Sequence, residues 1–230
     1  MAVQYASNSG WIYRYTTEAW SIIRGASTGT GASDTSYTKA DAIRVMSSSG
    51  RGSTLHYISR SYFYFDTSGI TGTVASATLR IYGKDNTTAD VIAVKSDAFG
   101  GDGGTGLVQD DYNNIDFSTP YSSEFALWGT SASPNIITLN ATALTDIKNN
   151  NAFIVSVIEH DYDYSNSTPS VGTDDKSGMY FDPYGGTSRD PHIDYTLATG
   201  YGNTVNGVAS ANIGKVNGVA TANISKINGV

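Results

Sequence analysis

Among the 230 residues are 16 tyrosines and three tryptophans, and several of them fall in stretches that read as loops or as the wet face of a strand. Such rings stack on the apolar C–H faces of sugars, while neighbouring Asn, Asp and Ser side chains fix hydroxyls through directed hydrogen bonds. The candidate glycan contacts are Trp128, Tyr112, Tyr121, Tyr162, Tyr164 and Tyr184, with Tyr62 and Tyr64 on an expected wet strand face. Trp128 leads them, because a large loop-borne aromatic seldom lacks a partner. Against this stands the packing alternative: tyrosine fits β surfaces and protein interfaces without any sugar.

Oxygen ligands are the second chemistry. Asp161 and Asp163 alternate in HDYDYSNS and suit a structural calcium, although the spacing is not that of the twelve-residue calcium loop. Catalysis finds less. His56, His160 and His192 are far apart in sequence, and a general base must lie within hydrogen-bond reach of its proton. Glycoside hydrolysis needs two carboxylates about 5 to 9.5 Å apart across a sugar. The only glutamates are Glu18, Glu124 and Glu159, and most aspartates sit beside Gly, Asn or Ser, where building turns is their ordinary work. The Gly100 to Gly106 cluster lacks the Lys-Ser or helix start of a phosphate loop. No cofactor is implied beyond that calcium.

These residues must be positioned by short strands. In Ser61 to Phe65, Phe63 and Phe65 point one way and Tyr62 and Tyr64 the other, so one face is expected in the core and one in water. Ala77, Leu79 and Ile81 alternate with Thr78, Arg80 and Tyr82 in the same manner. Further strands are expected at 11–15, 19–24, 42–46, 90–95, 136–139, 178–181 and 192–197, and the nearly all-apolar 153–158 suits a central strand covered on both faces. One helix is expected after Asn140, which can cap it, with Leu144 and Ile147 on one face and Asn149 to Asn151 as the stop. Between Ala98 and Pro134 runs a long loop; loops of that length carry function or are mobile.

Charged residues make up 15% of the chain and Gly supplies 25 positions, which excludes a coiled coil, an ordinary helical enzyme and a charge-rich disordered protein. A net charge of −7 with no basic run argues against a nucleic-acid partner. The absence of cysteine excludes disulfides and thiolate chemistry. The first residues lack the pattern of a secretory signal and no apolar run approaches 18 residues, so synthesis in a cytoplasm without membrane insertion is expected.

From Thr204 the chain reads TVNGVASANIG, KVNGVATANIS, KINGV, an 11-residue repeat. One small unit cannot bury its apolar face alone, and about three or more are needed for a stable stack. The apolar positions Val205, Val208, Ile213, Val216, Val219, Ile224, Ile227 and Val230 are therefore expected to be ordered by assembly with copies of the chain or with other proteins.

The run LHYISRSYFYFDTSGITGTVASATLRIYG from Leu55 to Gly83, followed by ITLNATALTDIKN and closed by DPHIDYTL, resembles the DNRLRE or disaggregatase-related modules, which are jelly-roll β-sandwiches. The resemblance covers roughly 41–197, and the acronym motif itself is absent. Together with the Asn-Gly-Val repeat, the chain also resembles proteins encoded among the structural genes of tailed bacteriophages. That resemblance implies a place on the virion, as capsid decoration, fibre or tail part, with other virion proteins as partners and a host-surface glycan as target. The expectation is an all-β jelly-roll β-sandwich with one short helix and an 11-residue-repeat tail: arm or edge strands over 1–40, the sandwich over 41–199 and the tail over 200–230. The expected function is that of a non-enzymatic virion structural protein; a free carbohydrate-binding module or a polysaccharide-degrading enzyme is the competing reading.

Overall fold

In the computed structural model, residues 1–50, 52–130, 133–181, 189–198, 215–216 and 219–220 are described. They form an all-β sandwich of two antiparallel sheets. The smaller sheet has the order β1 (Ala2–Tyr5), β13 (His192–Leu197), β6 (Val74–Ile81), β10 (Asn135–Thr138). The larger is built on a long spine, β5 (Thr54–Asp66). One edge of β5 carries β2 (Asn8–Thr16), which also pairs with β3 (Gly31–Ser33). The other edge is shared: β4 (Thr38–Ser49) pairs with the first half of β5 and β11 (Ala152–Glu159) with the second. Beyond β4 lie β12 (Asp174–Tyr180) and β7 (Gly83–Thr87); beyond β11 lie β8 (Val91–Ser96) and β9 (Ile115–Pro120).

The alternation expected from sequence positions the main core. Phe63 and Phe65 of β5 meet Ala77, Leu79 and Ile81 of β6 between the sheets, and all five are buried. Central β11 is covered on both faces, Phe153 and Val155 belonging to this core and Ile154 to another. The expected helix is α2 (Ala141–Asn149), and the Asn140 side chain accepts the Ala143 N–H at 3.1 Å as its cap.

Two expectations are corrected. Residues 19–24 do not form a strand: Trp20–Arg24 is a short helix, α1, because Trp20 and Ile23, three apart, are buried on one side while Ser21 and Ile22 remain exposed. The other face of β5 is also not wet. A second apolar cluster covers it, formed by Ile12, Val45, Ile58 and Tyr62 of the sheet with Trp20 and Ile23 of α1 and Phe99, Leu107 and Tyr112 of the long connection. That connection is a packed cover, anchored by those buried side chains.

In the C-terminal repeat, β14 (Lys215–Val216) pairs antiparallel with β15 (Val219–Ala220), on either side of an Asn-Gly step in the sequence, the dipeptide of the tightest hairpins. The other expected assembly positions, Val205, Val208, Ile213, Ile224, Ile227 and Val230, and the candidate Tyr184, lie outside the described residues.

Candidate functional site

The face of the larger sheet that looks toward the smaller one is longer than its cover. Paired residues of antiparallel strands point their side chains to the same face, so the register assembles two rows across four strands. One row is Tyr15, Tyr57, Met46 and Asp174; the next is Tyr13, Ser59, Arg44 and Lys176. Tyr15 is 53% exposed, Asp174 is exposed, and Tyr13, Tyr57, Met46 and Arg44 are half-buried. The surface is thus a shallow aromatic and charged platform on rigid strands, whose backbone hydrogen bonds fix the spacing of its side chains.

Its side chains hold one another in place. The rings of Tyr13 and Tyr57 stack 5.5 Å apart and nearly parallel, and the Arg44 guanidinium lies 5.1 Å over the Tyr57 ring. Arg44 is clamped by Asp174 at 2.7 Å and Asp41 at 3.2 Å. Lys176 bonds Asp174 at 2.8 Å and Lys39 bonds Asp41 at 2.7 Å. Burial opposes ionisation of Asp41, yet Lys39 and Arg44 outweigh it and hold the carboxyl below its ordinary range. Burial likewise opposes ionisation of Asp174, and Lys176 and Arg44 again prevail. The Tyr57 hydroxyl is pushed above its ordinary range by burial and then by the negative charge of Asp41. Tyr15 has no ring partner among the described residues and stands free beside this braced array.

Chemically, the platform offers hydrogen-bond donors, acceptors and aromatic surface side by side. A glycosidase acid must keep its proton near neutrality, which requires a raised pKa; both carboxylates here are pulled the other way. Arg44, Lys176 and the two aspartates present donors and acceptors for hydroxyls around an exposed ring, the pairing of apolar face and polar rim that sugars require.

Residues 27–99 match the model of carbohydrate-binding module family 96. The match runs from β3 through β8 and therefore contains Asp41, Arg44, Met46 and Tyr57, while Tyr13, Tyr15, Asp174 and Lys176 join the platform from outside it. Over that stretch the chain is similar to a carbohydrate-binding module. No curated protein matches the chain.

The candidates named from sequence are placed elsewhere. Trp128 is buried at 5% exposure and its indole N–H donates to the Gly178 carbonyl at 2.9 Å. Tyr112 is fully buried with its hydroxyl on the Ile23 carbonyl at 3.1 Å, and Tyr62 is fully buried with its hydroxyl on the Tyr112 carbonyl at 2.8 Å. Tyr121 is buried, its hydroxyl on Asp146 at 2.5 Å. Their expected exposure is therefore corrected: a hydroxyl or indole N–H that finds a partner inside makes an aromatic an ordinary core residue. Tyr64 is half-buried against Phe99. Tyr162 and Tyr164 are half-buried, Tyr164 stacking on the His160 ring at 5.7 Å.

The two aspartates named for calcium part company. Both oxygens of Asp163 receive N–H bonds from Arg60, at 2.7 and 2.8 Å, in a fully buried pair. Asp161 is exposed and contacts His160 Nδ1 at 3.0 Å, with Glu124 3.8 Å from the same nitrogen. A calcium ion takes six to eight oxygens, and a carboxylate committed to a buried guanidinium does not supply them.

No local pattern in the sequence groups Tyr57 with Tyr13 and Tyr15. The one local signal was the alternation Trp11, Tyr13, Tyr15, which puts three aromatics on one face of a strand.

Proposed function

We propose that this protein is a non-catalytic carbohydrate-binding module whose ligand lies on the uncovered rows of the larger sheet, with the sugar stacked on Tyr15 and its hydroxyls met by Arg44 and Lys176. The observation that carries the reading is the match of 27–99 to a carbohydrate-binding family over the two strands that supply Arg44 and Tyr57. The platform lies across four paired strands, a surface that suits an internal stretch of a polysaccharide chain. The depressed carboxyls support binding without hydrolysis.

Electrophoresis through gels containing individual soluble polysaccharides tests this. A retarding polysaccharide should cease to retard Tyr15→Ala and Arg44→Ala, with at least a tenfold loss of affinity in each, while circular dichroism and melting stay as in the parent. Retardation of both variants equal to the parent's would remove the platform as the site.

The second reading concerns place rather than ligand. The 11-residue repeat and the resemblance to phage structural proteins support a sandwich mounted on a virion, with the repeat as its attachment to copies of itself and to other virion proteins. Truncation after residue 200 should then abolish assembly while leaving polysaccharide retardation intact; an unchanged oligomeric state after truncation overturns it.

A further inference from the structure

We infer a second, separate binding site, a cleft that takes a sugar residue carrying a protonated amine. Its volume is about 390 Å³, within the range of small-ligand pockets. The end of β8 forms one wall with Lys95 and Ser96, continued by Asp97 and by Asp102 of the glycine turn. The opposite wall is Asn150 and Asn151 after α2 and the start of β11. Ile154 of that strand pairs with Tyr64, so it lies on the opposite face of the larger sheet from Tyr15.

Unspent hydrogen-bonding capacity distinguishes this cleft. Among the described residues, the side chains of Asp97, Asn150 and Asn151 take no hydrogen bond, and all three are exposed. Asp102 gives one oxygen to the Gly104 N–H at 2.8 Å and keeps the other free. That turn is held by Gly100, Gly101 and Gly103, each at a φ between 77° and 79°, a backbone that side-chain-bearing residues rarely adopt. The cluster at Gly100 to Gly106, which fits no phosphate, thus has a structural purpose: it presents Asp102 to the cleft. Ala152 and Ile154 supply the apolar part of its lining, so polar rim and apolar base meet as a pyranose ring needs.

Charge sets the class of sugar. The cation of the lining, the Lys95 ammonium, is already engaged by Asp146 at 3.1 Å, and the Tyr121 hydroxyl donates to that same carboxylate. Asp97 and Asp102 are left uncompensated, so the cleft carries an excess of negative charge. It attracts an ammonium group and repels a carboxylate. The two asparagine amides and the Ser96 hydroxyl serve the hydroxyls.

This site shares only the general preference for sugars with the platform, and its test separates the two. A fully deacetylated β-1,4-glucosamine tetramer and cellotetraose have the same backbone and differ at C2, –NH₃⁺ against –OH. Each is titrated into the intact ¹⁵N-labelled protein at pH 6. The glucosamine tetramer should shift the backbone amides of Asp97, Asp102 and Asn151 and bind at least tenfold more tightly than cellotetraose. The exposed double variant Asp97→Asn/Asp102→Asn, which removes both charges and leaves a side-chain oxygen at 102 to accept the Gly104 N–H, should abolish that advantage. Tyr15→Ala should leave the shifts of Asp97, Asp102 and Asn151 with the glucosamine tetramer unchanged. Equal affinity for the two tetramers, an advantage that persists in the double variant, shifts confined to Tyr15 and its neighbours, or no shift at all overturns the inference. Failure of the platform reading shows elsewhere, as polysaccharide retardation that survives Tyr15→Ala.

Discussion

The Arg60 guanidinium and the Asp163 carboxylate, 103 residues apart in sequence, form a two-pronged ion pair with both side chains fully buried. The remaining donors of Arg60 reach the carbonyls of Tyr112 at 2.8 Å and Arg24 at 2.9 Å. One side chain thereby ties β5 to the turn after β11, to α1 and to the long connection, the parts that close the second apolar face. Burial opposes the charge on Arg60, but Asp163 and the polar cage outweigh it and hold the group protonated.

Breaking one half of such a pair leaves a buried charge alone. Arg60→Met and Asp163→Leu should each destabilise the fold by about 3–5 kcal/mol, and the double variant by clearly less than their sum. Urea unfolding of the two single variants and the double variant measures this; additive losses would show that the pair is not coupled.

Glu159 lies directly before that turn. Its carboxylate accepts the backbone N–H groups of Asp161, Tyr162 and Asp163 at 2.7, 2.8 and 2.9 Å. Burial raises its pKa more than these bonds lower it, and the group is pushed up to about 7 from an ordinary 4.5. The folded chain therefore keeps a proton that the unfolded chain releases above pH 4.5, and the stability this contributes falls as pH rises from 4.5 to 7, by about 1.4 kcal/mol per unit. Glu159→Gln, which does not titrate, should flatten that slope. Urea midpoints at pH 5 and pH 8 for parent and variant check the sign.

Trp128 should prove to be a stability residue. Trp128→Ala removes a buried indole and its bond to Gly178, at a cost of about 3–5 kcal/mol. Polysaccharide affinity per folded molecule should be unchanged, measured below the variant's melting temperature with the folded fraction fixed by near-ultraviolet circular dichroism.

Gly178 sits at the irregularity of β12 between Ser177 and Met179, and a Cβ there would overlap the Lys84 carbonyl oxygen. Gly178→Ala should force β12 off β7, lower the melting temperature by several degrees and weaken the platform through Asp174 and Lys176. Hydrogen exchange should show faster amides in β12 and β7 but unchanged protection in β6.

Chelation should do nothing. Because Arg60 neutralises Asp163, that carboxylate has its counter-charge built in, and melting curves with and without excess EDTA should superimpose. A shift of more than a degree or two would show that a metal holds this turn.

Much of the fold can be read along the chain. Phe63 and Phe65 against Tyr62 and Tyr64, and Leu79 and Ile81 against Thr78 and Arg80, announce strands and name the inward face, because side chains of a strand alternate by geometry alone. Asn140 announces the start of α2 because its short side-chain oxygen can accept an otherwise unpaired N–H of the first helical turn. The excess of aromatic and small polar residues, together with the scarcity of charge, settled that the fold would be built from strands.

Tertiary structure decided which of those faces meets water and which aromatics stand together. A period of two records two faces but carries no information about a further layer, so the connection from 98 to 134 could bury Tyr62 and Tyr112 without leaving a local trace. The platform joins Tyr15, Tyr57, Met46 and Asp174 through the registers of four strands. Each register depends on the hydrogen-bond partners of residues far along the chain, and these exist only once the sheet has closed around β5.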